Sequence, residues 1–373
     1  MVRRAKSSDM PAILDFVRET YGPGAPFKDA KRLAWQFEHT PFRTDKTDDP
    51  SIWIAVERGR VVGTIGVQDD VVWIDDDKIE AGWIVDVMVR SDWRGMGLGH
   101  RIHDAVMRDR TTLVTLTMAP ATRRIAERAG ALTLGPTWQF ILPARTSSYT
   151  VARFLRHKSA NRPRAARFLS LFAGSGLGPA SVALASRTLA KLAASRRPKP
   201  VLARFEVDEV SRFPNEVDVF WANVRTEFPA VFDRSVAALN WRFCDCPGLD
   251  YRRFLLRRKG VLCGLLITRL GVEEELSLGV IVDLLTSPRD TEALDALIEL
   301  ARNVLLPARE YIEAAASTPV FAQALRRHGF VRIRTMRPTL VCSDSACRTK
   351  FADHINDWHF TKGDHDWDQV HPV

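Results

Sequence analysis

The sequence predicts an α/β protein with mixed sheets (α+β), in which a basic helical connector joins two tandem copies of one unit. Three observations support this prediction. At 373 residues the chain suits two domains of ordinary size. Landmarks in the first half recur in the same order in the second half. Between the halves lies a stretch that lacks acidic residues and is rich in lysine and arginine.

The chain divides into four expected segments: a first unit at 1–145, a connector at 146–204, a second unit at 205–345 and a C-terminal tail at 346–373. With 46% hydrophobic and 27% charged residues, each half can bury a core. No apolar run follows the basic N-terminus, and none is long enough to cross a bilayer. The odd number of cysteines, 5, indicates no disulfide framework. We therefore expect a cytoplasmic protein.

The first unit alternates helical and strand patterns, which predicts a mixed sheet covered by helices. One-sided apolar residues predict the helices, and β-branched runs around short polar turns predict the hairpins. A proline at the first helical position and a glycine at the left-handed cap bound the last helix. In order, the expected elements are helices at 8–21 and 33–37, hairpins at 51–67 and 71–89, a helix at 98–110, a strand at 113–118 and a helix at 120–130.

Two landmarks define the repeat. A Leu-x-Trp-x-Phe segment with a proline four residues after the phenylalanine occurs at 33–41 and again at 239–247. A proline and a glycine bound a helix at 120–130 and at 319–329, and both pairs are offset by 199 positions. Tryptophan and phenylalanine two residues apart on an amphipathic segment indicate core or inter-domain packing rather than a substrate box. We expect that packing for both tryptophan segments.

The most informative segment is a strand at 83–89, followed by a polar turn, the loop Arg94-Gly95-Met96-Gly97-Leu98-Gly99 and a helix. Alternate glycines at a helix start leave backbone N–H groups unobstructed, and the positive end of the helix dipole favours an anion there. The loop is not a P-loop, because no Gly-Lys-Ser/Thr is present. Its G-x-G-x-G spacing also differs from the dinucleotide fingerprint. The loop therefore predicts a site for phosphate or pyrophosphate.

The spacing Arg-x-x-Gly-x-Gly after an apolar strand resembles the acyl-CoA signature of the GNAT (Gcn5-related N-acetyltransferase) superfamily. The resemblance covers 1–145 with a specific motif and 205–342 only through the repeat. It implies two tandem GNAT-fold domains, with acetyl-CoA or another acyl-CoA as co-substrate. It further implies that pantetheine lies between splayed strands at 83–89 and 112–118. The expected cofactor-binding residues are Val87, Met88, Val89, Arg94, Gly95, Met96, Gly97, Leu98 and Gly99.

The second copy departs from the first at the loop. In place of the three glycines it has Ser287-Pro288-Arg289-Asp290-Thr291-Glu292. This segment contains no glycine, and its acidic side chains would repel a pyrophosphate. We therefore expect the second unit to be a degenerate copy that shapes the acceptor side without binding cofactor.

Asp86 is the first candidate for the catalytic base, because the resemblance implies a carboxylate on this strand or a water chain. Strand alternation would place Asp86 on the same face as Ile84 and Met88. An apolar strand raises the pKa of a lone carboxylate unless the carboxylate is paired, which suits a base working near neutrality. The alternative is a buried structural aspartate, and Asp283 at the corresponding place in the second copy favours it. Glu80 is a weaker second candidate.

The general acid is not evident. The resemblance implies a tyrosine four residues before the glycine that closes the last helix, and this place holds Ala126. Either solvent or a residue of the second copy must serve, or the enzyme is compromised. No metal site is expected, because the cysteine spacings fit no zinc site and the His- and Asp-rich tail has no fixed spacing. We expect that tail to be partly ordered, with tryptophans that dock on a domain.

The connector concentrates positive charge. From Arg145 to Arg204, with both ends counted, there are 13 lysines and arginines, and an uncharged apolar stretch lies at 168–186. One interpretation is peripheral contact of 153–199 with an anionic membrane, which would place the protein at the inner face. The other is a basic helical pair packed across the two domains or a solvated linker. No nucleic-acid partner is expected, because no aromatic-interleaved basic sheet or recognition helix is visible.

The function that follows from the resemblance is N-acyl transfer, and specifically N-acetyl transfer, by direct attack of an amine on acyl-CoA in a ternary complex. The acceptor is a small-molecule or peptide amine. One alternative is a Fem-like aminoacyl transferase acting on cell-wall precursors, which the basic connector suits and the intact pyrophosphate loop does not. Another is a non-catalytic CoA-binding scaffold, which the absent tyrosine suggests.

Overall fold

The computed structural model describes residues 1–22, 28–43, 47–116, 120–128, 130–143, 198–273, 276–306 and 311–370. The predicted helical connector and its membrane contact fall almost entirely outside these residues, and no observation on the described part supports the membrane contact. Within the described ranges, every helix is too short or too polar to span a bilayer.

The first half alternates helices and strands as the sequence predicts. Its helices are α1 (Met10–Tyr21), α2 (Ala30–Phe37), α3 (Leu98–Asp109) and α4 (Pro120–Arg128). Its strands are β1 (Val2–Arg4), β2 (Ile52–Glu57), β3 (Arg60–Ile74), β4 (Asp77–Val89), β5 (Thr112–Thr115), β6 (Leu132–Thr133) and β7 (Thr137–Pro143). The two expected hairpins at 51–67 and 71–89 share β3, which is one continuous strand.

The second half repeats this order and adds a folded tail. Its helices are α5 (Glu216–Val224), α6 (Val236–Phe243), α7 (Thr291–Leu305), α8 (Pro319–Arg327) and α9 (Ser345–Asp353). Its strands are β8 (Glu206–Val210), β9 (Ala230–Phe232), β10 (Tyr251–Arg258), β11 (Val261–Glu273), β12 (Leu276–Thr286), β13 (Tyr311–Ala316), β14 (Val331–Met336), β15 (Thr339–Cys342) and β16 (Trp358–His359). The equivalent helices α2 and α6 each begin at a capping side chain, Asp29 and Ser235 respectively, which accepts a backbone hydrogen bond.

The strands form two mixed sheets, which confirms the predicted fold class. One sheet has the order β1-β2-β3-β4-β5-β15-β6, and β9 and β16 extend it from β3. The other has the order β14-β7-β13-β12-β11-β10-β8. Most neighbours are antiparallel, but β4 and β5 are parallel, as are β12 and β13 in the second sheet. Apolar clusters cover both sheets, and the main cluster of each sheet contains residues of both halves.

The two sheets exchange one strand each. Strand β7 of the first half lies between β13 and β14 of the second sheet, with Leu142 opposite Ile312. Strand β15 of the second half lies between β5 and β6 of the first sheet, with Leu340 opposite Val114. Each sheet is therefore completed by the other half, and the division at 1–145 and 205–345 separates the repeats without separating the sheets.

Residues 346–370 of the C-terminal tail are folded into the structure, which differs from the expected partly ordered segment, and the expected docking of a tail tryptophan is confirmed at Trp358. Trp358, Phe360 and Phe351 are almost fully buried and form a stack of aromatic rings. Strand β16 pairs with β9, and the chain continues through two short 3-10 turns, Lys362–Asp364 and Asp366–Val370. Because large aromatic side chains bury much apolar surface, this segment is part of the core.

Candidate functional site

The glycine loop has the geometry that an anion site needs. Gly95 and Gly97 have positive φ angles, 82° and 72°, which favour glycine. A Cβ atom built on Gly95, Gly97 or Gly99 would meet no atom within 4 Å, so the space above the loop is open. Gly97 is the residue before the first turn of α3, which begins at Leu98.

The first turn of α3 presents unpaired donors to that space. The Arg101 amide donates to the Gly97 carbonyl, so the amides of Leu98, Gly99 and His100 precede the first bond of the helix. Arg94 donates from Nε to the Val89 carbonyl at 3.1 Å and ties the loop to the end of β4. Together with the helix dipole, these amides form a site suited to a pyrophosphate.

A gap opens between β4 and β5 beside the loop. Among the residues that the structure describes, the two strands pair only at Gly82 with Leu113 and Trp83 with Val114. The Arg90 amide donates to the carbonyl of Val62 on β3, so by alternation the backbone polar groups of Met88 also point toward β3. The polar groups of Val87 and Val89 are therefore directed into the gap. Of the three residues predicted to hold pantetheine, these two have the suitable orientation.

Asp86 lies on a β-bulge. It has φ +51°, and the register between β3 and β4 shifts at this point. The bulge interrupts side-chain alternation, so the predicted shared face is wrong: Met88 joins the core that contains Val85, whereas Ile84 packs on the α3 side. Asparagine and aspartate tolerate this left-handed conformation better than most residues.

The Asp86 carboxylate is not alone. Lys28 Nζ lies 2.7 Å from both of its oxygens, and the Tyr21 hydroxyl donates to Oδ1 at 2.9 Å. The side chains of Asp86 and Lys28 are each only 9% exposed. Burial, followed by the charge of Asp86, raises the pKa of Tyr21, so the phenol keeps its proton. Three of about four lone-pair positions on the carboxylate are occupied.

The structure does not bring Glu80 to this cluster. Glu80 is exposed near the turn between β3 and β4, opposite Val71. Six residues of extended strand separate it from Asp86, a distance of about 20 Å. Ala126, where the resemblance implies a tyrosine, is fully buried in α4 and has no proton to give.

The sequence of the first half matches a known family. Residues 1–131 match the model of the acetyltransferase (GNAT) domain. Residues 1–131 are a GNAT domain. No protein of curated function matches the chain significantly in sequence.

Solved GNAT structures share the fold of most of the chain. A GCN5-related N-acetyltransferase from Anabaena variabilis is 12% identical, with a TM-score of 0.55 over 91% of this chain and 72% of that one. Saccharomyces cerevisiae N-myristoyltransferase with bound myristoyl-CoA is 11% identical, with a TM-score of 0.55 over 91% and 80%. A tandem GNAT protein from the clavulanic acid biosynthesis pathway is 14% identical, with a TM-score of 0.50 over 92% and 98%. The structural similarity establishes the tandem GNAT fold. Identities this low do not establish the reaction, which has to be argued from the residues of the site.

The tail adds a histidine and an aspartate to the GNAT cleft, which the sequence analysis did not predict. His365 Nε2 lies 3.2 Å from the Ile84 carbonyl oxygen, at the place where β4 and β5 separate. Its Nδ1 contacts the carboxylate of Asp366. The tail's His- and Asp-rich composition was the available signal, but it did not indicate which surface the tail contacts.

Charge governs the protonation of this pair. Burial lowers the pKa of His365, but the charge and hydrogen bond of Asp366 outweigh it, and the net pKa is raised. Burial opposes ionisation of Asp366, but His365, Lys28 and Arg32 together hold the pKa of that carboxyl below its usual range. The tail therefore places an ion pair against the cleft.

The equivalent cleft of the second half is closed. Asp290 caps α7 by accepting from the Ala293 amide, and Arg258 pairs with the same carboxylate, so this helix start has its own anion. Strands β12 and β13 also separate, but tail residues lie between them: Ser317 bonds to the backbone of Trp358 and Phe360. This cleft has no open space for a pyrophosphate and a pantetheine arm.

The surroundings of Asp283, the counterpart of Asp86, indicate a structural role for this carboxylate. It is buried, accepts from the Leu284 amide at 2.8 Å, and pairs with Arg234 at 3.2 Å. Burial raises the pKa of Asp283 despite the Arg234 charge. The two aspartates thus occupy equivalent positions in different surroundings. In the ranges that the structure describes, no three His, Cys, Asp or Glu side chains converge to hold a metal.

Proposed function

We propose that the protein is an N-acetyltransferase that moves the acetyl group of acetyl-CoA to a small-molecule or peptide amine. The observation that supports this most is the open glycine loop at the end of the separated β4 and β5 in the GNAT domain. Pyrophosphate would bind the amides of Leu98, Gly99 and His100, with pantetheine along Val87 and Val89. The described part of the chain contains one such site.

The closed end of the cleft favours a short acyl group. Trp83, the last residue paired with β5, contacts the rings of Phe232, Phe360 and His365 at centroid distances of 4.5, 6.0 and 5.3 Å. These rings fill the space beyond the point where the strands join. An acetyl group ends before this point, whereas a long acyl chain would have to displace buried aromatic side chains.

The amine would attack from the side of Asp86. In the forward step the amine nitrogen forms a bond to the thioester carbon, and the carbon–sulfur bond breaks. The backbone N–H of Val87 faces the gap and stabilises the oxyanion. Asp86 accepts the proton that the amine loses, at the lone-pair position that Lys28 and Tyr21 leave open. We propose Asp86 as the base on this geometry, and we propose no chemical role for Glu80.

A non-catalytic CoA-binding scaffold is the second candidate, because Ala126 replaces the acid that the GNAT resemblance implies. Turnover of acetyl-CoA with any amine excludes it. A Fem-like transferase would not need the pyrophosphate loop, so specific binding of CoA at that loop excludes it.

The test is calorimetric titration of acetyl-CoA into the wild type, Gly97→Asp and Gly59→Asp. Gly97→Asp puts a carboxylate at the pyrophosphate site. Gly59 is the matched control, because it has φ +74° and a Cβ there also meets nothing within 4 Å, but it lies in the hairpin turn between β2 and β3. We expect one acetyl-CoA per chain in the wild type and in Gly59→Asp, and at least a tenfold loss of affinity in Gly97→Asp.

Binding that Gly97→Asp leaves unchanged would contradict the assigned site, and absence of binding to the wild type would overturn the proposed function. Circular dichroism and thermal unfolding of both variants establish that the loss is local. Competition of acetyl-CoA with myristoyl-CoA then tests the acyl length, with weaker binding expected for the longer chain.

A further inference from the structure

We propose that His365, held by Asp366, is the general acid that protonates the departing CoA thiolate. The inference rests on the proposed function, and it supplies the general acid that is missing where Ala126 stands in place of a tyrosine. His365 belongs to the C-terminal tail, far in sequence from the GNAT domain, and it reaches the cleft because β16 and the following turns cross between the two halves.

The hydrogen-bond partners of the ring define its protonation state. Nε2 faces the Ile84 carbonyl oxygen at 3.2 Å, and Nδ1 faces the Asp366 carboxylate. Both partners are acceptors, so both ring nitrogens must donate. An imidazolium satisfies both contacts, and a neutral ring satisfies only one. The resting residue is therefore an acid with a proton on the nitrogen that faces the cleft.

The Ile84 carbonyl identifies where that proton is available. On β3, the Val67 amide donates to the carbonyl of Ser51, the residue before β2, so the backbone polar groups of Val67 point away from β4. Ile84 lies opposite Val67, so its backbone polar groups point away from β3. The carbonyl thus points to the β5 side, directly after the last paired residue, Trp83. A pantetheine arm that runs from the glycine loop along β4 has its thioester end near this apex.

The groups around the ring fix its charge. Asp366 faces Nδ1 from the tail, Arg242 of α6 acts on the ring from the second half, and Lys28 and Arg32 of the first half act on Asp366. The edge of the ring packs on Trp83 at 5.3 Å with an interplanar angle of 78°. Arg242 opposes the extra proton on the ring and Asp366 favours it, whereas Lys28 and Arg32 keep the Asp366 carboxylate ionised. Asp366 is therefore the positioning residue for this acid.

The proposed step balances with Asp86. The amine nitrogen gives a proton to Asp86 as the carbon–nitrogen bond forms. The carbon–sulfur bond breaks, and His365 Nε2 transfers its proton to the thiolate in place of the Ile84 carbonyl contact. Free thiols have a pKa of about 8.5, so a proton donor lowers the cost of expelling the thiolate near neutral pH. Exchange with water then restores both residues.

The first experiment is NMR of the full chain labelled with ¹⁵N-histidine, with His365→Gln to assign the signal. We expect His365 to titrate above the ordinary histidine range and Asp366→Asn to move the titration down. We expect acetyl-CoA to shift the His365 signal, and Gly97→Asp to prevent this shift. Acetyl-CoA that binds by calorimetry without moving the His365 signal would overturn the inference and leave the proposed function standing.

The second experiment measures thiol release from acetyl-CoA with hydroxylamine as the acceptor. This probe amine is neutral near pH 7, so its attack needs little help from a base and the acid step is exposed. We expect His365→Gln to lose about 100-fold or more in kcat, in the range of general-acid effects. Asp366→Asn should retain activity with its high-pH limb moved to lower pH, which a merely structural role would not produce.

The matched control is His354→Gln. His354 belongs to the same tail and also pairs with an aspartate, Asp75, at 3.0 Å, but this pair lies away from the cleft. Rates equal in wild type and His365→Gln would overturn the inference, as would an equal loss in His354→Gln. Thermal unfolding of all three variants separates a local loss from misfolding. Absence of acetyl-CoA binding in the wild type is the distinct failure of the proposed function.

Discussion

Trp35 and Trp241 donate their indole N–H groups to each other's main-chain carbonyls. Trp35 Nε1 lies 2.9 Å from the Trp241 carbonyl oxygen, and Trp241 Nε1 lies 3.1 Å from that of Trp35. Their rings stack at 4.8 Å with an interplanar angle of 19°. The contact is reciprocal, like the contact at the axis of a symmetric dimer. The core or inter-domain packing predicted for both tryptophan segments is therefore confirmed. The structure adds that the two segments pack on each other and join equivalent helices of the two repeats.

The first prediction concerns this pair. Trp35→Phe and Trp241→Phe keep an aromatic ring but leave a buried carbonyl without its donor, which should cost about 1–3 kcal/mol of unfolding free energy each. The double variant should lose less unfolding free energy than the two single variants lose together, by at least about 0.5 kcal/mol, because the effects of residues in contact are not additive. Urea unfolding measures all three. Trp53→Phe combined with Trp241→Phe is the control, since Trp53 bonds to Asp109 within the first half and its effect should add.

The second prediction concerns the exchanged strands. A fragment of residues 1–145 lacks β15, so β5 and β6 would lose their common neighbour, and β7 would have no sheet to enter. Unpaired strands expose hydrogen-bonding edges and apolar surface. We expect this fragment and a fragment of 198–373 to be insoluble or unfolded alone and to form a complex when co-expressed. A cooperative unfolding transition of the 1–145 fragment alone would contradict this prediction.

Local physics made the repeat and the loop predictable. The glycine spacing allows only a few backbone arrangements at a helix start, so Gly95 and Gly97 appear where the sequence indicates them. Continuous β3 was not predicted, because Gln68, Asp69 and Asp70 interrupt its apolar pattern. These polar residues are nevertheless buried: Ser51 and Arg110 bond to Asp69, and the Arg242 side chain pairs with Asp70. Partners remote in sequence compensate their burial, and a local pattern does not contain them.

The strand exchange and the tail depend on choices between equivalent partners. A strand such as β7 has the same alternating pattern whether it completes its own sheet or the neighbouring one, so periodicity predicts the strand and leaves its sheet undetermined. The tail contains charged residues that are exposed in most proteins, which favoured a partly ordered segment. Here Lys362 pairs with Glu313 and Asp364 with Arg234 in buried positions, and these partners make burial of the tail possible.

The third prediction concerns Asp86. Asp86→Asn keeps a side chain that tolerates φ +51° and therefore keeps the bulge, but it removes the charge. If Asp86 is the base, kcat should fall about 100- to 10,000-fold, whereas the affinity for acetyl-CoA should change little because the glycine loop is untouched. The assay is thiol release with an amine found by screening, together with calorimetry. Glu80→Gln is the control, because Glu80 lies far along β4, and a loss in that variant equal to the loss in Asp86→Asn would contradict the assignment.

The fourth prediction concerns pH and His359. This histidine is fully buried between the rings of Phe228 and Phe321, and its Nδ1 bonds with the Thr318 hydroxyl at 2.8 Å. Burial, followed by the charge of Arg234, lowers the pKa of His359 to about 3. In the unfolded chain the ring titrates near 6.5. The folded ring is therefore neutral where the unfolded ring gains a proton.

The sign of the effect follows from which state binds more protons. Between pH 6.5 and about 3 the unfolded state binds the extra proton, so the contribution of His359 is fully present above pH 6.5 and is lost as the pH falls. From pH 7.5 to pH 5 this loss should be about 2 kcal/mol. His359→Phe keeps the aromatic contacts but cannot titrate, so the difference in unfolding free energy between wild type and variant should shrink by about that amount. Urea unfolding at both pH values measures it. A difference for His359→Phe that does not depend on pH would show that this buried ring does not link folding to protonation.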